Sequence, residues 1–139
     1  LLFFESRDSS SVPGASTTAA GPGQVVTDQQ QASAPAPIRS DRDGTLLTQD
    51  QLLHALQVGD VVLLYGTRAA PPQLRALQNK LSGPLDPVLA ANGAAVILGY
   101  RPGTDGVTAL AWKRRLRTAS ASDPALEQFA DYWLSRSGR

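Results

Sequence analysis

The stretch that decides the fold is Leu47–Tyr65, LTQDQLLHALQVGDVVLLY. Thr48 is followed three residues later by Gln51, which is the capping-box spacing that marks the start of a helix. Gly59 is the residue type that ends helices, because it adopts a left-handed backbone without a Cβ clash. The run Asp60–Tyr65 lacks polar alternation, so it predicts a strand that is covered on both faces.

Helices and strands alternate through the rest of the chain. Leucines at helical spacing follow Pro72 and end before Gly83, and residues 94–100 predict a second buried strand. The run 107–117 predicts a third strand, antiparallel to the second because the connection between them is short. Asp123 precedes a last helix with a wide apolar stripe. The order helix, strand, helix, strand, strand, helix predicts an α/β fold, a small three-layer-like sandwich that is thioredoxin-like without its first strand.

The first 44 residues are predicted to lie outside this domain, which is expected to span residues 45–139. Residues 1–8 begin with four apolar side chains and continue with charges, as the end of a membrane anchor or signal segment does. Residues 9–44 are rich in Ser, Ala, Gly, Pro and Gln, which predicts a disordered low-complexity linker. We therefore expect an extracytoplasmic protein, in the periplasm or at the cell surface, tethered by an N-terminal membrane segment.

Composition excludes several classes of function. Thirteen basic and twelve acidic residues give a net charge of +1, which argues against a nucleic-acid partner. The chain has no cysteine, and this rules out disulfides, thiol catalysis and iron–sulfur clusters. It also lacks the G-x-S-x-G and phosphate-loop motifs of common hydrolases and nucleotide-binding proteins.

His54 is the only histidine of the chain and lies on the polar side of the first predicted helix. Asp50 precedes it by one helical turn, so a carboxylate and an imidazole can meet on one face. Such a pair could ligate a metal, and the lack of sulfur ligands favours copper(II) or zinc over copper(I). The alternative is a solvated helix pair worth about 0.3 kcal/mol and no cofactor at all.

A short basic run, WKRRLR, occupies residues 112–117. On a continuous strand Lys113, Arg115 and Arg117 share one face. Together with Trp112 they are the predicted partner-binding residues, for an anionic lipid, a glycan or the carboxylates of another protein. The alternative is that these charges keep an edge strand from pairing with other sheets.

Three pieces of the chain carry a family resemblance: HALQVGDVVLLYGTR from His54, PQLRAL from Pro72, and TALAWKR from Thr108 with the closing DPALEQF helix. They resemble bacterial extracytoplasmic, membrane-tethered domains of unknown function. In that family the first motif reads roughly His-Ala-Leu-Glu-His-Gly and the later one roughly Thr-Ala-Trp-Gly-Arg. Here Gln57 and Val58 stand at the Glu and second His positions, so a shared multi-histidine metal site is not implied for this chain.

The sequence thus predicts a non-catalytic cell-envelope domain, tethered to a membrane, that docks on a larger envelope protein complex. The alternative from a different class is a copper-dependent oxidoreductase, such as a superoxide dismutase, that uses His54. A third hypothesis is a thioredoxin-like scaffold that binds peptides.

Overall fold

The computed structural model describes residues 22–26, 29, 32–33 and 36–134. Along the chain the elements are β1 (Gln24–Val25), α1 (Gln49–Val58), β2 (Val61–Tyr65), α2 (Pro72–Leu81), α3 (Pro87–Ala91), β3 (Val96–Tyr100), β4 (Val107–Ala111), β5 (Arg114–Thr118) and α4 (Pro124–Trp133). The five-residue helix α3 has no counterpart in the sequence prediction, because one turn is too short to show a period.

The segment from Thr48 to β2 forms as its pattern predicts. The Thr48 hydroxyl accepts from the Gln51 N–H at 3.1 Å, and the Gln51 side chain accepts from the Thr48 N–H at 2.9 Å. Gly59 ends α1 with φ 117°, the left-handed region. All five residues of β2 are buried, so the predicted central strand is confirmed.

The five strands form one mixed sheet in the order β1-β5-β4-β2-β3. β2 and β3 are parallel, whereas the other neighbouring pairs are antiparallel. α2 and α4 pack on one face through an apolar cluster that includes Leu74 and Phe129. α1 and α3 pack on the opposite face through a cluster that includes Leu56 and Ala90. The predicted α/β sandwich with helices on both faces is therefore confirmed.

The run 107–117 is a hairpin rather than the single strand that the sequence predicts. β4 ends at Ala111 and β5 begins at Arg114, and Lys113 in the turn has φ 64°. β4 also pairs with β2 and not with β3. The reason is that β3 occupies one edge of β2, and β4 takes the other edge after the 101–106 loop crosses the end of β2.

Part of the predicted linker belongs to the fold. Gln24 and Val25 pair with β5, and Val26 and Ile38 are buried. Ile38 joins the apolar cluster beneath α1. Composition hides this contribution, because a few isolated apolar residues carry it within a polar segment.

The predicted localisation, an extracytoplasmic domain with an N-terminal membrane tether, is contradicted by the helices of the described residues. No helix there is long and apolar enough to cross a membrane. The longest helices have 10 residues, against the roughly 20 that a span requires. Residues 1–8, from which the anchor was predicted, lie outside the described residues.

The segment 36–45, which we call the strap, is held on the domain by the buried carboxylate of Asp41. Its Oδ2 accepts from Gln78 Nε2 at 2.6 Å and from the Leu98 N–H at 3.2 Å. Its Oδ1 lies 3.3 Å from Arg75 Nη1. These contacts join the strap to α2 and to the outer edge of β3.

We expect Asp41→Asn to lower the free energy of unfolding by about 2–3 kcal/mol. An amide has only one acceptor oxygen, so its NH₂ group must face either the donors of Gln78 and Leu98 or the guanidinium of Arg75. Urea unfolding followed by tryptophan fluorescence measures the change. The control is Asp43→Asn, which removes a more exposed partner of Arg75 and should cost less than about 0.5 kcal/mol. Equal losses in both variants would contradict this account of the strap.

Candidate functional site

Two buried side-chain atoms lack a hydrogen-bond partner in the part of the chain that the structure describes: Arg115 Nε and Asp60 Oδ2. An unpaired buried polar atom costs about 1–3 kcal/mol. Such atoms therefore require an explanation, and a bound ligand, ion or water is one. One is a donor and the other an acceptor, and each lies at a separate cleft.

The first cleft lies on the sheet face over β4 and β5. Register places Arg115 opposite Leu110 and Arg117 opposite Thr108. Leu110 belongs to the apolar cluster of α1 and α3, so both arginines are on the sheet face against which these helices pack. Arg101 follows β3, and its N–H bonds to the Tyr65 carbonyl at 2.8 Å. The cleft has a volume of about 380 Å³, and we call it the arginine cleft.

A close approach of the backbone places Arg101 beside the cleft. A Cβ on Gly66, just after β2, would lie 2.2 Å from the Thr104 carbonyl oxygen. Only glycine therefore lets the loop 101–106 cross β2 at this distance. The loop takes the chain from the β3 side of β2 to the β4 side, and Arg101 at its start lines the cleft, a placement of which sequence spacing gives no sign.

The arginine cleft is electropositive. Three guanidinium groups line it, together with the hydroxyl-bearing Thr104 and Thr108 and one carboxylate, Asp105. Within the described ranges, no ion pair or side-chain hydrogen bond is formed by Arg101, Arg115 or Arg117. A planar guanidinium matches carboxylate and phosphate oxygens bidentately, so the cleft has the chemistry of an anion site.

Two of the predicted partner-binding residues lie elsewhere. Trp112 and Lys113 form the turn of the β4–β5 hairpin and do not line the cleft. Lys113 Nζ donates to the Gln29 carbonyl at 2.9 Å and sits 4.9 Å from the centroid of the Trp112 ring. The structure thus groups Arg115 and Arg117 with Arg101, while Lys113 contacts Gln29 of the same chain.

The second cleft is a small pocket beside Asp60, which is 0% exposed. Asp60 Oδ1 accepts from the Ala95 N–H at 3.0 Å, and this bond fixes the plane of the carboxyl group. His54 from α1 lines the same pocket, and Ile38 of the strap and Pro87 of α3 supply walls. Its free volume is about 40 Å³, which is room for ordered water or a small group. We call it the Asp60 pocket.

Close packing between helix ends forms this pocket. Gly93, after α3, has φ +75°, and a Cβ there would lie 1.8 Å from the Val58 carbonyl oxygen. The chain after α3 therefore rests directly on the end of α1, which brings the α3 residues of the pocket near His54. Sequence reasoning missed Asp60, although a carboxylate at the start of a fully buried strand was a usable signal.

Burial raises the pKa of Asp60 from its ordinary 3.8 to about 7, and the bond from the Ala95 N–H offsets part of this rise. The folded state therefore retains a proton between about pH 4 and pH 7 that the unfolded chain loses. Stability then falls as the pH rises through this range.

The structure does not place Asp50 in the pocket with His54. The Asp50 carboxylate accepts from the Ser33 N–H at 3.0 Å, and Asp50 is absent from the pocket wall. Among the residues with described positions, no three His, Cys, Asp or Glu side chains come together in a group that could hold a metal. Copper or zinc at His54 and Asp50 stays a prediction.

Comparison with known families matches residues 41–138 to the family described as "Protein of unknown function (DUF3105)". The matched range contains Asp41, both unpaired atoms and all three arginines of the cleft. No curated protein and no solved structure matches the chain. The match supports the expected resemblance to an uncharacterised family. It gives no support to the predicted membrane tether, or to the predicted histidine motif and tryptophan motif of that family.

We expect the free energy of unfolding of the wild type to fall by about 2–3 kcal/mol between pH 5 and pH 8 from Asp60 alone. Asp60→Asn removes this titration, so the stability of the variant relative to wild type should rise by that amount between pH 5 and pH 8. Urea unfolding at both pH values measures the difference. Asp50→Asn is the control and should follow the wild-type pH dependence. A constant difference between wild type and Asp60→Asn at the two pH values would contradict the burial of an ionising carboxyl.

Proposed function

The chain belongs to the DUF3105 family of proteins of unknown function, and from that premise we propose that it is a non-catalytic binding domain that docks on a partner through the arginine cleft. The observation that carries the proposal is the buried, unpaired Arg115 Nε beside two further guanidinium groups. The partner presents an anionic group, a phosphate or a cluster of carboxylates. The proposal keeps the predicted docking role and omits the membrane tether.

Binding to Arg115 explains why an unpaired donor is tolerated. An oxyanion seated between the three guanidinium groups accepts from Arg115 Nε and offsets the cost of its burial. The hydroxyls of Thr104 and Thr108 on the same wall can donate to the same ligand. The lone Asp105 disfavours a second acidic group at that end of the cleft, and this restricts how the partner can be oriented.

The cleft supplies charge and hydrogen-bond donors, and Asp105 is the one carboxylate among its lining residues. His54, the one histidine of the chain, lines the Asp60 pocket and not the arginine cleft. Acid–base catalysis at neutral pH depends on a group that titrates there. The residues of the cleft therefore favour docking over turnover.

The test uses defined anions in place of the unidentified partner: inorganic phosphate and a short polyglutamate peptide, titrated at low salt and followed by NMR or calorimetry. We expect Arg117→Gln and Arg101→Gln each to weaken binding about five- to tenfold, since one charge-assisted hydrogen bond is worth about 1–1.5 kcal/mol at a half-exposed site. Raising the salt concentration should weaken binding further, because the cleft is open to solvent.

Arg68→Gln is the matched control. Arg68 is exposed in the loop after β2 and does not line the cleft, so this variant loses the same charge and should bind both anions as the wild type does. An equal loss in the control would show that binding depends only on net charge. Undiminished binding by Arg101→Gln and Arg117→Gln would remove the arginine cleft as the docking site.

The copper-dependent oxidoreductase hypothesis gains no support from the geometry of the described residues. It stays a prediction that metal analysis tests directly, on purified wild type and His54→Ala after incubation with copper(II). Stoichiometric copper in the wild type that is lost in the variant would favour this alternative over a purely docking role.

A further inference from the structure

We propose that the Asp60 pocket binds the head of a primary alkylammonium group, with Asp60 Oδ2 accepting a hydrogen bond from its nitrogen. This site is separate from the arginine cleft and has the opposite charge preference. It goes beyond docking, because it assigns a second ligand of stated chemistry to the domain.

The carboxyl group of Asp60 is arranged for one incoming donor. Its Oδ1 is engaged by the Ala95 N–H, whereas Oδ2 has no partner among the described residues and is buried. An ammonium group has three donors and no acceptor, so one N–H satisfies Oδ2 while the other two can donate to a ring nitrogen of His54 or to water at the open side of the pocket. It also supplies the positive charge that a buried carboxylate lacks.

The other walls select an alkyl stem. Apart from His54 and Asp60, all the lining residues have apolar side chains. They are Ala36, Pro37, Ile38, Ala55, Pro87, Ala90 and Ala91. Methylene groups bury favourably against such walls. A metal ion would have only two protein ligands here, whereas tetrahedral sites generally use three or four.

Size restricts the head group. About 40 Å³ is free inside the pocket, which suits a nitrogen and one or two carbons and is too small for a guanidinium with its stem or for an aromatic amine. The same chemistry occurs in a free short-chain amine and at the end of a lysine side chain. Both sources are therefore used as probes.

Binding depends on the ionisation of Asp60. His54 is the only other titratable residue on the wall, since the strap and α3 contribute only apolar side chains to it. Because burial raises the pKa of Asp60 to about 7, most of the carboxyl is neutral at pH 6 and most is ionised at pH 8. The affinity for an ammonium should accordingly rise about tenfold between these pH values.

The experiment titrates the full chain with ethylammonium chloride and, separately, with an N-acetylated Gly-Lys-Gly amide, at pH 6 and pH 8, with NMR shifts as the readout. Wild type should bind ethylammonium more tightly at pH 8 than at pH 6. Asp60→Asn should lower the affinity at pH 8 at least tenfold. Asp50→Asn and Arg101→Gln should bind ethylammonium as the wild type does. Unchanged binding by Arg101→Gln would show that the arginine cleft is not the site of ethylammonium binding. Binding of the peptide as well assigns the ligand to lysine side chains, and binding of ethylammonium alone assigns it to free amines.

A second variant covers the case in which Asp60→Asn fails to fold. Ala91 is exposed on α3 at the pocket wall, so Ala91→Leu fills the pocket without disturbing the core and should also abolish ethylammonium binding. Three results would overturn the proposal: equal binding by wild type and both variants, equal affinity for uncharged ethanol, or binding of zinc chloride at this site in place of the amine.

Discussion

The carboxylate of Asp41 holds the strap on the domain, and both the sheet edge and the Asp60 pocket depend on it. It accepts from Gln78 and from the Leu98 N–H and faces the Arg75 guanidinium. A buried carboxylate is stable only when such donors surround it, because burial without partners is costly. The same strap carries Ile38, which forms part of the wall beside Asp60. One polar interaction thus fixes the position of an apolar wall.

The strap also closes an edge that would otherwise be open to other strands. β3 is the last strand of the sheet, so alternate N–H groups along it have no partner in a neighbouring strand. Besides the bond to Asp41, the Val96 N–H donates to the Ser82 hydroxyl at 3.0 Å and the Tyr100 N–H to the Thr45 carbonyl at 2.8 Å. Paired edges resist unwanted association with other sheets.

The two clefts have complementary chemistry. Arg115 offers an unmet donor on an open, basic face, whereas Asp60 offers an unmet acceptor at the base of an apolar pocket. A ligand in either place would relieve a polar atom that the fold leaves unpaired. The two sites are separate, because no residue lines both of them: His54 and Asp60 line the pocket, and the three arginines line the cleft.

The sequence by itself determined the α/β class, the capping box of α1, its end at Gly59 and the fully buried β2, because these features depend on residues within a few positions of one another. It also led to the prediction that His54, Arg115 and Arg117 bind ligands, which stays a prediction. Only the tertiary structure decided that Arg101 joins those arginines and that Asp60, not Asp50, shares a pocket with His54. The physical reason is that hydrogen-bond partners distant in sequence determine which polar atoms stay unpaired, and sheet order determines which loops meet.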